Sequence, residues 1–349
     1  MKILSLFDGM ACARIALDKL GVTVDTYYAS EIDKYAIAVA KHNYPDIIHV
    51  GDITKLNGND FRDIDLVIGG SPCQGFSFAG KQFNFDDPRS KLFFDFVRIL
   101  KQVKPRYFLL ENVKMRKDYQ SVISDLLGVQ PIEINSALVS AQNRKRLYWT
   151  NIPNVTQPED KGIVLKHILE DNAEICGRQV GRRLKDGKRA DYDKSIKSQQ
   201  RIEPRLDEKS GALTTVQKDN LVGCKKLTVT TNKGEGSKIA FKPSKDGLHH
   251  VANATDINGN DCLKRVYHPE GKSPTLSTCQ GGNTEPKVLT DNLSWRKLTP
   301  LECERLQTVP DNYTLVPWQK RMMSNTQRYK MLGNGYTVDV ITHILKGAL

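Results

Sequence analysis

No stretch of this 349-residue chain approaches the roughly 18 consecutive apolar residues of a membrane-spanning helix. The apolar start, Ile3 to Phe7, stops at Asp8 and is too short for the core of a secretory signal. Cysteine is sparse and badly spaced: there are seven, an odd number, and no two form a CxxC pair. That argues against a disulfide framework and against a thiolate zinc site, and the histidines show no ligand spacing either. Glycine is scarce where a dinucleotide would need it. The loop Phe7-Asp8-Gly9-Met10-Ala11-Cys12-Ala13 keeps only Gly9 of a G-x-G-x-x-G, so a pyrophosphate would lack its cradle. A soluble cytoplasmic protein is expected, with no membrane association and no metal.

What is present points to a globular chain, with 39% hydrophobic and 26% charged residues. Its length exceeds that of one ordinary domain, so two lobes are expected. The net charge is +12, and residues 176 to 245 carry 18 basic against 8 acidic side chains, so about +10 lies in that segment. Spread evenly, such an excess is a solubility feature. Concentrated in one polar stretch, it is a footprint for a polyanion.

Strand-like and helix-like patterns alternate through the first 150 residues. Lys2 to Phe7, Thr26 to Ser30, Ile47 to Val50, Asp65 to Gly69 and Tyr107 to Leu110 read as strands. Ala13 to Leu20 and Ile32 to His42 read as helices, and Leu92, Phe93, Phe96, Val97 and Leu100 have the 3.6-residue period of a buried helix face. Helical pattern returns at Pro300 to Leu306 and again from Tyr336 to Leu345. This order predicts an α/β fold: a doubly wound, mostly parallel, Rossmann-like sheet. Such sheets bind ligands at the carboxyl ends of their strands. Asp8-Gly9, Glu31, Asp52, Ser71-Pro72-Cys73 and Glu111-Asn112 all fall there. Any one of them reads equally well as a turn; five in succession read as a site.

Glu31 lies 22 positions beyond Gly9, near the spacing of an acid that accepts hydrogen bonds from ribose hydroxyls. Asp52 would accept from an adenine amino group. An adenosyl ligand without a diphosphate fits S-adenosylmethionine. Cys73 follows a strand and a proline and precedes Gly75, a placement that suits an exposed nucleophile better than a buried filler. A thiol near pKa ~8.5 is already partly thiolate at neutral pH.

In order along the chain come FDGMACARIAL, SEID, Gly51-Asp52, GGSPCQGFS, ENV, AQNRKRLYW, RKLTPLECERLQTVPD and MLGNGYTV. Together these segments resemble the cytosine carbon-5 DNA methyltransferases. The likeness covers roughly the first 150 and last 55 residues and leaves the centre unmatched. It shares features with the mammalian de novo enzymes (the FDG turn, SPC, RLYWTNIP) and with bacterial or phage members (Gln74 and the lysine-rich insert).

The resemblance implies roles. Cys73 would add to cytosine carbon-6, Glu111 would hold ring N3 and the exocyclic amine, and Arg144 and Arg146, on one face if extended, would bind the O2. The methyl donor would be S-adenosylmethionine, leaving as S-adenosylhomocysteine, held by Phe7, Asp8, Gly9, Met10, Glu31, Ile32, Asp52, Ile53, Pro72, Leu92, Asn334 and Gly335. The target base would be flipped out of a duplex, under a loop whose Gln74, Ser77, Lys81 and Arg89 contact DNA. Thr275, followed by Leu276, resembles a pair common in the family's target-recognition domain. Two departures stand out: Ala11-Cys12 where many members have Gly-Gly, and Gly335-Tyr336 where many have Ser-Val.

The domain order expected is a catalytic domain over 1–158 and a smaller, irregular, β-rich target-recognition domain over 159–294. A hinge over 295–323 and a segment over 324–349 that returns to the catalytic domain complete it. Arg201-Ile202 before EKSGALTTV and Arg265-Val266 before GKSPTLST form a weak internal repeat within the second domain. Double-stranded DNA is the expected partner of a monomer near the nucleoid of a bacterial or phage-infected cell. A cognate restriction endonuclease would be a separate protein. The nearest alternative is an RNA cytosine methyltransferase on the same scaffold, disfavoured by the long central insert. A catalytically silent DNA-binding relative is disfavoured by Cys73, Glu111 and Arg146 occurring together.

Overall fold

The computed structural model of the chain describes residues 1–71, 88–170, 265–274 and 294–349, with shorter segments at 177–182, 184–185, 188–189, 199–204, 250–253 and 287–290 and single positions at Ser195 and Glu285. Seven strands build one sheet: β1 (Lys2–Leu6), β2 (Thr26–Ser30), β3 (Ile48–His49), β4 (Leu66–Gly69), β5 (Tyr107–Val113), β6 (Ile132–Asn135) and β7 (Lys145–Thr150). Their spatial order is β3-β2-β1-β4-β5-β7-β6. The first five run parallel, and β7 lies antiparallel between β5 and β6. The mostly parallel α/β sheet is the fold expected from the alternating pattern.

Its central strands are apolar runs because both faces are covered. On one face Ile3, Ile68 and Leu109 pack with helices α1 (Cys12–Lys19), α2 (Lys34–Asn43) and α7 (Val338–Leu345). On the other, Leu4, Leu6, Val67 and Leu110 pack with α3 (Pro88–Val103) and α4 (Lys117–Leu127). Side chains that alternate along β1 thereby serve two separate cores.

Several boundaries differ from the sequence reading, three of them as follows. The second helix begins at Lys34 rather than Ile32, because the Asp33 side chain caps it, accepting from Tyr35 N. The Ile32 and Asp33 amides are held instead by the Glu31 carboxylate. The strand expected to end at Leu110 continues to Val113, since β7 extends its ladder with Glu111 opposite Tyr148 and Asn112 opposite Leu147. The last helix begins at Val338, not Tyr336.

Between residues 177 and 297 the described segments are short antiparallel pairs: 177–182 with 199–204, 250–253 with 265–267, and 287–290 with 294–297. Arg201-Ile202 and Arg265-Val266 both lie on such strands; the EKSGALTTV segment lies outside the described residues. Ser273-Pro274 runs parallel to Gln142-Asn143.

The chain then returns through α5 (Pro300–Leu306) and α6 (Asn325–Asn334) to α7. A capping box at Thr299 and Glu302, with Pro300 in the first turn, starts α5 where the sequence places it. Glu304, fully buried, accepts from the amides of Asn312 and Thr314 and pairs with Arg328 of α6 at 3.0 Å. Among the described residues, no helix is long and apolar enough to cross a membrane, and no group of three metal-ligating side chains forms.

Candidate active site

The turn after β1 is wound tightly. Phe7, Gly9 and Ala11 all have left-handed backbones, with φ of 57°, 62° and 65°. Two of the three carry side chains, a cost that ligand loops commonly bear. The winding turns Gly9 N–H toward Glu31, whose Oε2 accepts it at 2.8 Å, while Oε1 takes the Ile32 and Asp33 amides. The first two strand ends are thus tied through one carboxylate. Ile32 beside it is 75% exposed, a bare apolar side chain at a strand end. Asp52, after β3, accepts from Thr54 N, which holds its carboxyl below the ordinary range, and Ile53 is buried beneath. Leu92 lies half-buried on α3.

Asp8 is buried in the same turn. Tyr27 donates to its Oδ1 at 2.7 Å, and Oδ2 has no hydrogen-bond partner among the described residues. Burial pushes this carboxyl up to about 7. Met10 is buried, and its carbonyl accepts the Tyr313 hydroxyl at 2.8 Å, which fastens the turn to the segment after α5.

The sheet register explains the next pair. Tyr148 stands opposite Glu111, and Arg146, two positions before Tyr148 on β7, is Glu111's diagonal neighbour on the same face. The Arg146 Nε lies 3.0 Å from Glu111 Oε1, each side chain 13% exposed. Asn112 points to the adjacent strand, where its Nδ2 donates to the Ser71 hydroxyl at 3.1 Å. Ser71 is the last residue described before Cys73. Pro72, Cys73, Gln74, Ser77, Lys81 and Thr275 lie outside the described residues, as does the side chain of Arg89.

Arg144 and Arg146 have different partners. Arg144 is buried and donates to the carbonyls of Gly333 and Gly335, at 3.1 Å each. Gln307, fully buried, grips the same loop by donating to Leu332 O at 2.6 Å and Gly335 O at 3.3 Å, and its carbonyl accepts the Thr337 hydroxyl. Asn334 is exposed at the end of α6. Gln307 and Tyr313 do not stand out as site residues in the sequence, because their work is done across long separations along the chain. The segment LQTVPD, within the family-like stretch, was the one trace of Gln307.

The two departures from the family pattern fit each other. A Cβ on Gly335 would lie 3.1 Å from Cys12 Sγ and 3.2 Å from Met10 Cε. Cys12 therefore occupies the room that a larger residue at 335 would need.

A family model described as C-5 cytosine-specific DNA methylase matches residues 1–348. The chain belongs to this family. Two relatives illustrate the range around the methylase. An orphan methyltransferase of Bacillus phage SPR, M.SPRI, is 28% identical over 99% of this chain and 97% of its own length. A type II methyltransferase of Lactococcus lactis subsp. cremoris, M1.ScrFI, is 29% identical over 100% of this chain and 78% of its own. The fold resembles that of a Spodoptera frugiperda DNMT2 mutant at a TM-score of 0.56 and 18% identity, covering 99% of this chain and 98% of the other. Methylation of cytosine in DNA is the reaction the family implies.

Proposed function

We propose that the methylase transfers a methyl group from S-adenosylmethionine to carbon 5 of a cytosine flipped out of a specific double-stranded DNA sequence, through a temporary bond from Cys73 to carbon 6. The observation that carries this reading is the Glu111–Arg146 pair at the carboxyl edge of the sheet, beside the strand that leads to Ser71-Pro72-Cys73. Glu111 offers a carboxyl group which, when it carries a proton, donates to a pyrimidine's N3 while its other oxygen accepts from the amino group; Arg146 holds that carboxyl in place and keeps N–H groups for the O2.

Cytosine carbon 5 is a weak nucleophile until the 5,6 double bond is broken. The Cys73 thiolate adds at carbon 6, and the displaced electron pair makes carbon 5 nucleophilic while a proton at N3, supplied by Glu111, balances the charge. S-adenosylmethionine, when bound, supplies an electrophilic methyl group. The carbon-5 proton then leaves to a water molecule acting as base, its electrons re-form the 5,6 double bond as Cys73 departs as thiolate, and N3 returns its proton to Glu111. A thiol cannot reach carbon 6 inside a stacked duplex, so the base must be extruded.

Residues around the turn fit the donor. Glu31 sits at the end of β2 for the ribose and Asp52 at the end of β3 for the adenine amine, with Ile32 as an apolar platform. Asp8 Oδ2 is a buried acceptor without a hydrogen-bond partner among the described residues, suited to an ammonium group. Residues 159–294 are proposed as the target-recognition domain, whose lysines and arginines position DNA through its phosphates.

The test uses duplexes carrying 5-fluorocytosine, in which the carbon-5 substituent cannot leave as a proton. The wild-type chain with donor is expected to form a stable covalent complex mapped to Cys73, and Cys73→Ala to form none while still binding DNA. Equal methylation by Cys73→Ala, or methyl transfer to tRNA and not to duplex DNA, would overturn the reading.

A further inference from the structure

Tyr336 is buried, yet its hydroxyl has no hydrogen-bond partner among the described residues. An orphaned buried hydroxyl costs stability, so its retention calls for a use outside the protein's own contacts. The ring crosses from the carboxyl-terminal segment to Gly70. An ideal Cβ on Gly70 would lie 3.0 Å from Tyr336 Cε1, 3.1 Å from its Oη and 3.3 Å from Glu111 Oε2. Gly70 has no side chain where Tyr336 needs the space, and the hydroxyl shares a small volume with the Glu111 carboxylate.

The sheet order decides which ligand part it meets. Strands about 4.8 Å apart lay out a ruler along the carboxyl edge. Asp52 after β3 and Glu31 after β2 take the adenine and ribose ends of the proposed donor, which leaves the ends of β1 and β4 for its amino-acid end. Tyr336 stands there, preceded by Gly335 against Cys12 and Met10 of the β1 turn and with its ring on Gly70 after β4. Two orphaned polar atoms then flank this end: the acceptor Asp8 Oδ2 and the hydroxyl of Tyr336. An amino-acid headgroup offers the complementary pair, an ammonium for the first and a carboxylate for the second. On the base side, Glu111 and Arg146 already serve the pyrimidine's polar edge.

We propose that the Tyr336 hydroxyl donates a hydrogen bond to the carboxylate of the methyl donor's amino-acid headgroup, making Tyr336 a donor-binding residue of this chain. The proposal rests on S-adenosylmethionine being the donor. Burial, followed by the nearby charges of Glu111 and Asp8, pushes the phenol well above its ordinary range, so it stays protonated and able to donate.

The experiment compares wild type with Tyr336→Phe, which removes one oxygen and keeps the ring against Gly70. Calorimetry measures the binding of S-adenosylhomocysteine, which carries the headgroup, and of 5′-methylthioadenosine, which lacks it. Expected are a roughly tenfold weaker affinity for the first, an unchanged affinity for the second, and an unliganded melting temperature no lower than wild type. Equal weakening of both ligands would assign the hydroxyl a structural role, and no change in either would show that it does not touch the donor; each overturns the proposal. Failure of the wild type to bind S-adenosylhomocysteine at all would overturn the donor reading, and this proposal with it.

Discussion

At the scale of single residues, Asp8 couples the site to pH. Burial raises its carboxyl to about 7, against the lowering hydrogen bond of the Tyr27 hydroxyl, with Glu31's charge adding to the rise. A group whose folded pKa lies above its unfolded one holds its proton more tightly when folded, so stability falls as pH climbs from 3.8 to about 7. Thermal melts between pH 5 and 8 should show that loss in the wild type, and Asp8→Asn should flatten it, gaining a few kcal/mol at the alkaline end. An unchanged profile in the variant would mean that Asp8 is already charged when buried. Cys12 and Gly335 permit a second residue-scale test. Gly335→Ala crowds Cys12 Sγ, and Cys12→Ala should relieve it, giving a favourable coupling of about 1 kcal/mol in a double-mutant cycle by denaturant unfolding. Additive effects would show that the two positions do not share space. Glu31, Asp52 and Glu111 were legible in the sequence because each follows an apolar run. Asp8's burial and Arg144's grip on Gly333 and Gly335 were not, since both depend on segments distant along the chain.

At the scale of elements, strands β1 and β4 were readable because burial on both faces makes them largely apolar runs. The end of β5 was not, because polar Glu111 and Asn112 stay in the ladder only by virtue of β7 beside them. The start of α2 slipped by two residues because the Glu31 carboxylate takes the Ile32 and Asp33 amides, leaving the Asp33 side chain to cap the helix at Tyr35 N. The contact between α5 and α6 rests on a buried ion pair, Glu304 with Arg328, side chains 0% and 6% exposed. Arg328→Ala leaves an uncompensated buried carboxylate and should cost about 3–5 kcal/mol in chemical denaturation. Arg328→Ala with Glu304→Gln together should recover part of it. A loss below about 1 kcal/mol would show that the pair is not holding the two helices together.

At the scale of the whole molecule, the charge is uneven: most of the +12 lies in residues 176–245, beyond the stretch of sequence that supplies the seven sheet strands. If that stretch meets phosphates, duplex affinity should fall on the order of a hundredfold or more between about 50 and 200 mM salt. A flat response in a filter-binding titration would remove the basic segment from the DNA interface. Composition made the character of this region legible, but its strand pairings were not, because polar, glycine- and lysine-rich sequence carries little periodicity.

The turn at residues 7–11 is braced from Tyr313, and the loop at 333–335 is held by Arg144 and Gln307. During translation the sheet strands emerge first, while their last brace is still unmade. A nascent polypeptide released early would therefore carry every strand of its sheet and yet lack both braces; if the turn and the loop hold the proposed methyl donor, truncated products should be inert bystanders rather than competitors for it.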